Sequence, residues 1–301
     1  MKPTSIVFLA IAVLLILGGV ILCITAENIA ETDGYVLFNR TEDGSSYRQY
    51  DFSGKPVTKI SLVVEDAEIY IYGGAEKSYI EFFNFREGLY TFSTSGTIIT
   101  LDEIPDIESL LDFNTTFSFG GIRQFLVGNK SAGGPRRVNI YLDDLTENLK
   151  VIAVDAKNCS VHVDSLDLKC DITVAAEEHL TVTAKDTHTF SALTLTANNL
   201  AAMLENDAFD TLIVTAESSD VKASKISFKN LDCKIDTGTA DITTFDNIAF
   251  YDVEVGAGRG SVRFGGMDRP RPYTQKPAGD AAGTIRIESE NADFSITEMA
   301  G

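Results

Sequence analysis

The chain has 301 residues, of which 44% are hydrophobic, and this is enough for one large β domain or two smaller ones. Its 44 acidic and 25 basic residues give a formal net charge of −19. Nucleic acids and anionic lipid surfaces attract proteins with a positive field, so this charge argues against both as partners.

The N-terminal segment predicts a membrane anchor. Residues 6–24 (IVFLAIAVLLILGGVILCI) contain no charged side chain. A run of this length can cross a bilayer as a helix, and it exceeds the apolar core of about 7 to 15 residues found in cleavable signal peptides. Lys2 precedes the run and acidic residues follow it, which places the N-terminus in the cytoplasm. We therefore predict a single-pass cell-membrane protein with an uncleaved signal anchor in residues 1–26 and an extracellular C-terminal domain.

A polar linker and the first strands follow the anchor. Residues 27–58 are polar and contain several glycines, which predicts a stalk. Residues 60–74 (ISLVVEDAEIYIYGG) then show a strand, a polar corner and a second strand. The next segment predicts three more strands, with a turn at Ser95-Gly96. One folded domain is predicted over residues 59–301.

Residues 104–137 interrupt the strands and are predicted to form an irregular, glycine-rich loop. Four basic residues lie within fifteen positions of this segment, namely Arg123, Lys130, Arg136 and Arg137. In so acidic a chain they form a candidate contact patch for an anionic partner. The alternative is a solvated loop whose charges make local ion pairs.

Residues 149–266 repeat one pattern at intervals of about 20 residues, which is the signal of stacked coils. Each unit has a strand, a corner of small or polar residues, and a shorter second strand. The first strands begin at Leu149, Leu168, Ser191, Thr211, Leu231 and Asp252. The middle units close on Phe190, Phe209, Phe228 and Phe250, which are predicted to form an internal aromatic stack.

A single unit of this repeat is too small to fold alone. Ordering its backbone costs roughly 1 to 2 kcal/mol per residue, whereas each of its few inward aliphatic side chains returns about 1.5 to 3 kcal/mol. Stacking merges the apolar faces and lets each unit pair with its neighbours. The pattern therefore predicts an all-β, single-domain β-solenoid. An antiparallel β-sandwich is the alternative, because short strands separated by turns fit that fold as well.

The repeat ends near residue 266. The proline-containing segment 267–282 predicts a loop, and residues 283–297 (GTIRIESENADFSIT) return to the pattern as the predicted last coil.

Several stretches resemble the bacterial family described as putative adhesins of unknown function, which is common in Gram-positive bacteria. They are the membrane anchor and the segments VEDAEIYI, RVNIYLDDLTENLKV, IDTGTADITTF and IESENADFSI. The resemblance covers residues 60–297 and implies a right-handed β-helix outside the membrane. The chain departs from the family's serine-glycine-aspartate corner, and it has Asp143 where the family often has proline. Some members are similar to accessory proteins of cell-envelope stress systems.

The sequence contains none of the common catalytic or phosphate-binding motifs, such as G-x-S-x-G, H-E-x-x-H or C-x-x-C. It has no tryptophan to stack on a sugar ring, although tyrosine could substitute. Two acidic groups could hold a weak calcium ion, but neither matches a known calcium loop. These groups are Asp143-Asp144 with Glu147, and Asp207 with Asp210. We therefore predict no catalytic residue, no cofactor and no metal site.

The cysteines are predicted to be free. Cys170 and Cys233 occupy equivalent inward positions three coils apart, a separation of about 14 Å that no disulfide can bridge. Cys159 lies near a corner, and all three are expected to be buried thiols.

The leading functional hypothesis is a non-catalytic, membrane-tethered, adhesin-like binding or structural module of the bacterial cell envelope. Its partner would be an envelope component or a membrane protein. One alternative is an accessory protein of an envelope-stress signalling system. Another is a polysaccharide-active β-helix enzyme, which would need acidic side chains converging in a groove.

Overall fold

The computed structural model describes residues 39–40, 46–85, 90–103, 135–143, 146, 148–188 and 190–299. Within these ranges the protein is all-β, without an α-helix, and its strands join one large mixed sheet. The strands are β1 (Asn39–Arg40), β2 (Ser46–Asp51), β3 (Lys59–Tyr72), β4 (Tyr79–Phe83), β5 (Tyr90–Ser95), β6 (Ile98–Glu103), β7 (Arg137–Tyr141), β8 (Val151–Asp164), β9 (Asp171–Lys185), β10 (Phe190–Glu205), β11 (Ala208–Thr244), β12 (Tyr251–Val255), β13 (Val262–Phe264), β14 (Met267–Arg269), β15 (Tyr273–Gln275), β16 (Gly283–Glu288) and β17 (Asn291–Glu298). A 3₁₀ turn, Ile248–Phe250, precedes β12.

Five long strands, β3 and β8 to β11, form the parallel centre of the sheet. β3 pairs with β8 from Lys59 opposite Val151 to Tyr72 opposite Asp164, and β9, β10 and β11 continue the ladder. Each of these strands contains both strands of a predicted unit, and β11 contains two units. Among the described residues, antiparallel pairs occur only towards the two ends of the sheet. The centre of the sheet therefore lacks the pairing that an antiparallel sandwich requires.

At the C-terminal end, the order of strands in space differs from their order in the chain. β16 pairs with residues 230–234 of β11 on one side and with β12 on the other, and β17 lies likewise between β11 and β13. The segment 283–297, predicted as the last coil, is thus inserted between two earlier ones. β12 and β13 form the outer layer, which β15 and β14 cover in antiparallel fashion. Alternation of apolar and polar residues predicts the buried face of a strand but not its neighbour.

At the N-terminal end, β6 and β7 pair in parallel with β3, and β5, β4 and β2 extend the sheet in antiparallel fashion. The three strands predicted after residue 74 are confirmed as β4, β5 and β6, with Gly96 in the left-handed turn between the last two. Part of the predicted linker belongs to the sheet, because it contains β2 and contributes Phe52 and Val57 to the core.

Four turns of the chain close at a residue with left-handed backbone. These residues are Ser165, Asp186, Asn206 and Lys225, with φ between 51° and 58°. The N–H of Ser165 donates to the carbonyl oxygen of Lys185 one turn later at 3.1 Å, and Asp186 and Asn206 repeat this bond. The residue after each corner is buried, as seen for Leu166, Thr187, Asp207 and Ile226. The corner thus turns the chain back into the core once per unit.

The core contains rows of inward side chains from neighbouring strands. One row contains Ile60, Ile152, Ile172, Leu193 and Leu212, all at most 1% exposed. Phe209 and Phe228 are buried as the sequence predicts, but Phe250 is 55% exposed. The 3₁₀ turn rotates Phe250 outward, and Tyr251 takes the inward place with its ring centroid 5.5 Å from that of Phe228. The prediction of buried, free thiols is confirmed for Cys159, Cys170 and Cys233.

The predicted anchor, residues 1–26, lies outside the described residues. In the part of the chain that the structure describes, no helix has the length and apolar character needed to cross a membrane.

Candidate binding surface

One outward face of the sheet carries a contiguous row of aromatic side chains. It is formed by β4, β7, β3 and β8, which lie side by side in that order. On these strands the inward positions are apolar, and outward residues alternate with them. The outward rings, which we call the tyrosine ladder, are Tyr70, Tyr72, Tyr79, Tyr141 and His162.

Strand register sets the spacing of the ladder. Tyr79 lies opposite Tyr141 and Tyr141 opposite Tyr72, with ring centroids 4.4 and 5.0 Å apart and interplanar angles of 17° and 22°. Tyr70 continues the ladder, with its centroid 6.0 Å from Tyr72 and 4.6 Å from His162. Rings stacked at the spacing of strands cover each other's faces. The ladder therefore presents ring edges and phenol hydroxyls to the solvent.

Arg137 forms one border of the tyrosine ladder. Its guanidinium lies 5.1 Å from the ring centroid of Tyr70 and makes a 2.9 Å ion pair with Glu68. The hydrogen bond to Glu68 raises the pKa of Arg137. Arg137 thus adds a cation whose charge is balanced by the carboxylate of Glu68.

The other members of the predicted basic patch do not join this border in the described structure. Arg136 pairs with the buried Glu103 at 2.5 Å, and Glu103 also accepts a 2.9 Å hydrogen bond from the N–H of Glu65. Arg123 and Lys130 lie outside the described residues. The structure therefore places Arg136 and Arg137 in local ion pairs and only Arg137 beside the aromatic face.

Glu81 organises the border of the ladder that lies on β4. Its carboxylate accepts hydrogen bonds from the hydroxyl of Tyr47 at 2.9 Å and from the amide of Asn139 at 3.2 Å. The Tyr47 ring packs against Phe83 with centroids 5.1 Å apart. These contacts hold the polar groups at this border in fixed positions beside the ladder.

The phenols of Tyr72, Tyr79 and Tyr141 are neutral at physiological pH. Burial raises the pKa of Tyr72, Tyr79 and Tyr141 above the usual 10.0, and the Glu81 carboxylate raises it further for Tyr79 and Tyr141. Burial and the hydrogen bond to Glu81 also raise the pKa of Tyr47. The ladder therefore offers protonated hydroxyl groups that can donate hydrogen bonds, rather than nucleophilic phenolates.

The candidate calcium groups are not assembled in the described structure. Asp207 is buried and accepts a 2.9 Å hydrogen bond from the N–H of Thr187, whereas Asp210 is exposed and pairs with Lys229 at 2.6 Å. Asp143 accepts from Thr146, while residues 144 and 147 lie outside the described ranges. No set of three or more His, Cys, Asp or Glu side chains in those ranges is placed to hold a metal ion.

Sequence reasoning did not single out the tyrosines, because ladder neighbours such as Tyr72 and Tyr141 are far apart in the chain. A usable signal was nevertheless present. In the segments EIYIY, YIEFF and RVNIY, aromatic residues occupy the outward positions of an alternating pattern, where polar residues are expected. Three such segments in one chain predict a shared aromatic face only if their strands are neighbours.

Comparison with solved structures gives distant similarities. A putative adhesin from Bacteroides fragilis NCTC 9343 is 12% identical with a TM-score of 0.48, over 86% of this chain and 99% of that chain. A putative cell adhesion protein from Clostridium sporogenes ATCC 15579 is 13% identical with a TM-score of 0.38, over 85% and 99%. A putative lipid binding protein from Parabacteroides distasonis ATCC 8503 is 12% identical with a TM-score of 0.32, over 85% and 97%.

No protein-family model matches the sequence, and no curated protein matches it.

Proposed function

We propose that the protein is a non-catalytic, membrane-tethered binding module that contacts a cell-wall polymer of the bacterial envelope through the tyrosine ladder. The observation that carries this proposal is the outward run of five stacked rings bordered by Arg137. Tyrosine and arginine are enriched where binding energy concentrates in interfaces. A tyrosine ring also loses little side-chain entropy on binding, because only two torsions define it.

The chemistry of the ladder suggests the kind of surface it binds. The phenols of Tyr72, Tyr79 and Tyr141 are neutral, and Arg137 is balanced by Glu68, while Glu81 and Asp164 place carboxylates beside the rings. An anionic polymer would therefore meet carboxylates rather than an unpaired Arg137. Recognition here depends on hydrogen bonds and apolar contact rather than on ion pairing. A hydroxyl-rich, uncharged stretch of polysaccharide offers both kinds of contact.

The test is a sedimentation assay of the full-length, tagged protein with purified cell wall. We expect saturable binding that Tyr141→Ala weakens at least tenfold, because this change removes the central ring of the ladder. Tyr141→Phe keeps the stack and removes only the hydroxyl, so its loss should be smaller. Circular dichroism at the assay temperature checks that each variant is folded.

Met203 supplies the matched control. It is an exposed, outward residue of β10, two strands beyond β8 in the same parallel ladder. Met203→Ala should bind like the wild type. Equal binding by the Tyr141→Ala variant, or no saturable binding by the wild type, would refute the proposed role of the ladder.

We further propose that the parallel turns form a right-handed β-solenoid and that residues 1–26 anchor it to the membrane. The parallel ladder of β3 and β8 to β11 supports the first point, and the uncharged run in residues 6–24 supports the second. Small-angle scattering of the detergent-solubilised protein should indicate an elongated rod. Deleting residues 2–26 should release the protein from the membrane fraction, and retention of that variant would exclude an N-terminal anchor.

A further inference from the structure

An open cleft of about 540 Å³ lies at the C-terminal end of the sheet, where β13, β14 and β17 meet. Phe264 is buried at its lining, and Met267 and Met299 are 57% and 37% exposed at its walls. Phe245, which is 56% exposed, lies beside this surface. It follows Thr244, whose carbonyl oxygen accepts a 2.9 Å hydrogen bond from the N–H of Met299. A cluster of exposed large apolar side chains is unusual on a soluble surface and indicates a contact site.

Arg269 is a cation in this cleft without an acidic partner in the described part of the chain. Its Nε is buried without a hydrogen-bond acceptor, and its guanidinium lies 5.2 Å from the ring centroid of Tyr273. The acidic side chains nearby are already engaged. Asp268 pairs with Arg263 at 3.2 Å, and Glu298 accepts a 2.8 Å hydrogen bond from the N–H of Ile248.

We propose that the cleft binds an amphipathic anion, with its aliphatic chain against Met267 and Met299 and its anionic head at Arg269. The guanidinium of Arg269 has no carboxylate partner in the described part of the chain, and an incoming carboxylate or phosphate group would supply one through charge-assisted hydrogen bonds. The volume lies within the range of about 300 to 1,000 Å³ that is typical of small-molecule sites. This proposal is independent of the tyrosine ladder, which lies towards the opposite end of the sheet.

Methionine oxidation in the full-length protein tests this site, because three of the chain's four methionines serve as reporters. Hydrogen peroxide oxidises exposed thioethers, and mass spectrometry gives a separate rate for each residue. The probe is sodium decanoate below its micelle concentration, and decanol is the uncharged control of equal chain length. Decanoate should slow the oxidation of Met267 and Met299 at least fivefold, saturably. Met203, which is 56% exposed, should be unaffected.

The charge requirement is tested with Arg269→Gln and Arg269→Lys. The first should abolish protection by decanoate while leaving the weaker protection by decanol unchanged, and the second should retain most of the decanoate effect. Thermal melting of each variant confirms that the sheet is intact.

Three outcomes would overturn the proposal: no saturable protection, equal protection of the Arg269→Gln variant, or equal protection of Met203. A fourth result would show that the cleft binds a different partner. If protection of Met267 and Met299 rises with protein concentration without decanoate, the occupant is a second copy of the chain.

Discussion

Replacing the carboxyl group of Asp207 with the amide of asparagine should stabilise the protein at neutral pH. Asp207 follows a left-handed corner and is only 2% exposed. One carboxyl oxygen accepts a 2.9 Å hydrogen bond from the N–H of Thr187, and the other is buried without a partner. Burial raises the pKa of this carboxyl group to about 6, against the opposing effects of the hydrogen bonds and of His188.

The magnitude follows from linkage. A folded pKa of about 6 against an ordinary value of 3.8 corresponds to about 3 kcal/mol at neutral pH, at about 1.4 kcal/mol for each pH unit. Because the pKa of Asp207 is higher in the folded state than in the unfolded state, the folded state binds the proton more tightly, and stability falls as the pH rises. The contribution of Asp207 to stability is fully present below pH 3.8, declines as the pH rises and is lost above pH 6. Asparagine, which does not ionise, avoids this loss.

Urea unfolding at pH 4.5 and pH 7.5 measures the difference. The free energy of unfolding of Asp207→Asn, relative to the wild type, should rise by about 2 kcal/mol between the two pH values. Comparison with the wild type at each pH cancels the carboxyl groups that the two proteins share. Asp210→Asn is the matched control, since it removes one exposed carboxylate three residues further along the chain and should change stability by less than about 1 kcal/mol.

The reasoning would be refuted if the relative stability of Asp207→Asn were the same at both pH values. It would also be refuted if the variant were less stable than the wild type at pH 7.5. Either result would mean that the second carboxyl oxygen finds a partner that asparagine does not replace.

Other changes have equally definite outcomes. Tyr141→Ala removes two ring contacts and should lower the free energy of unfolding by about 1 to 3 kcal/mol, whereas Tyr79→Ala removes one and should cost about half as much, both measured by urea denaturation. Gly238→Ala should lower the melting temperature by several degrees, because Gly238 has a φ of +117° and an added Cβ would lie 2.0 Å from the carbonyl oxygen of Ser219. Gly279 has open space around it, so Gly279→Ala should leave the melting temperature nearly unchanged. Burial raises the pKa of the thiols of Cys159, Cys170 and Cys233 to about 12. In a Cys23→Ser variant, these thiols should therefore react with Ellman's reagent at pH 8 only after the protein unfolds. Rapid labelling of any of them in the folded protein would contradict the buried placement.

The sequence predicted the strands and their buried faces well, because both depend on local alternation. The segments beginning at Leu149 and Leu168 contain the strands β8 and β9, with their aliphatic residues inside. The insertion of residues 283–297 between earlier turns was not predictable in the same way. Pairing between β17 and β11 depends on backbone groups that every strand has, so the pattern did not indicate which strands would meet.

On the candidate surface, too, local features were predictable from the sequence and contacts between distant segments were not. The outward direction of Tyr70 and Tyr72 follows from alternation within β3. Their contact with Tyr141 and His162 depends on strands that are separated by long stretches of chain, including residues outside the described ranges. The basic residues drew attention because they are close together in sequence, yet Arg136 and Arg137 are each balanced by a nearby carboxylate.

The left-handed corners have a consequence for how chains of this kind can change in length. Ser165, Asp186, Asn206 and Lys225 close successive turns with the same backbone geometry but four different side chains. A segment from one corner to the next therefore carries its own strand, its own inward side chains and a corner that returns the chain to the core. Duplicating or deleting such a segment would join surfaces of equal shape, so we expect related chains to differ in length by steps of about 20 residues.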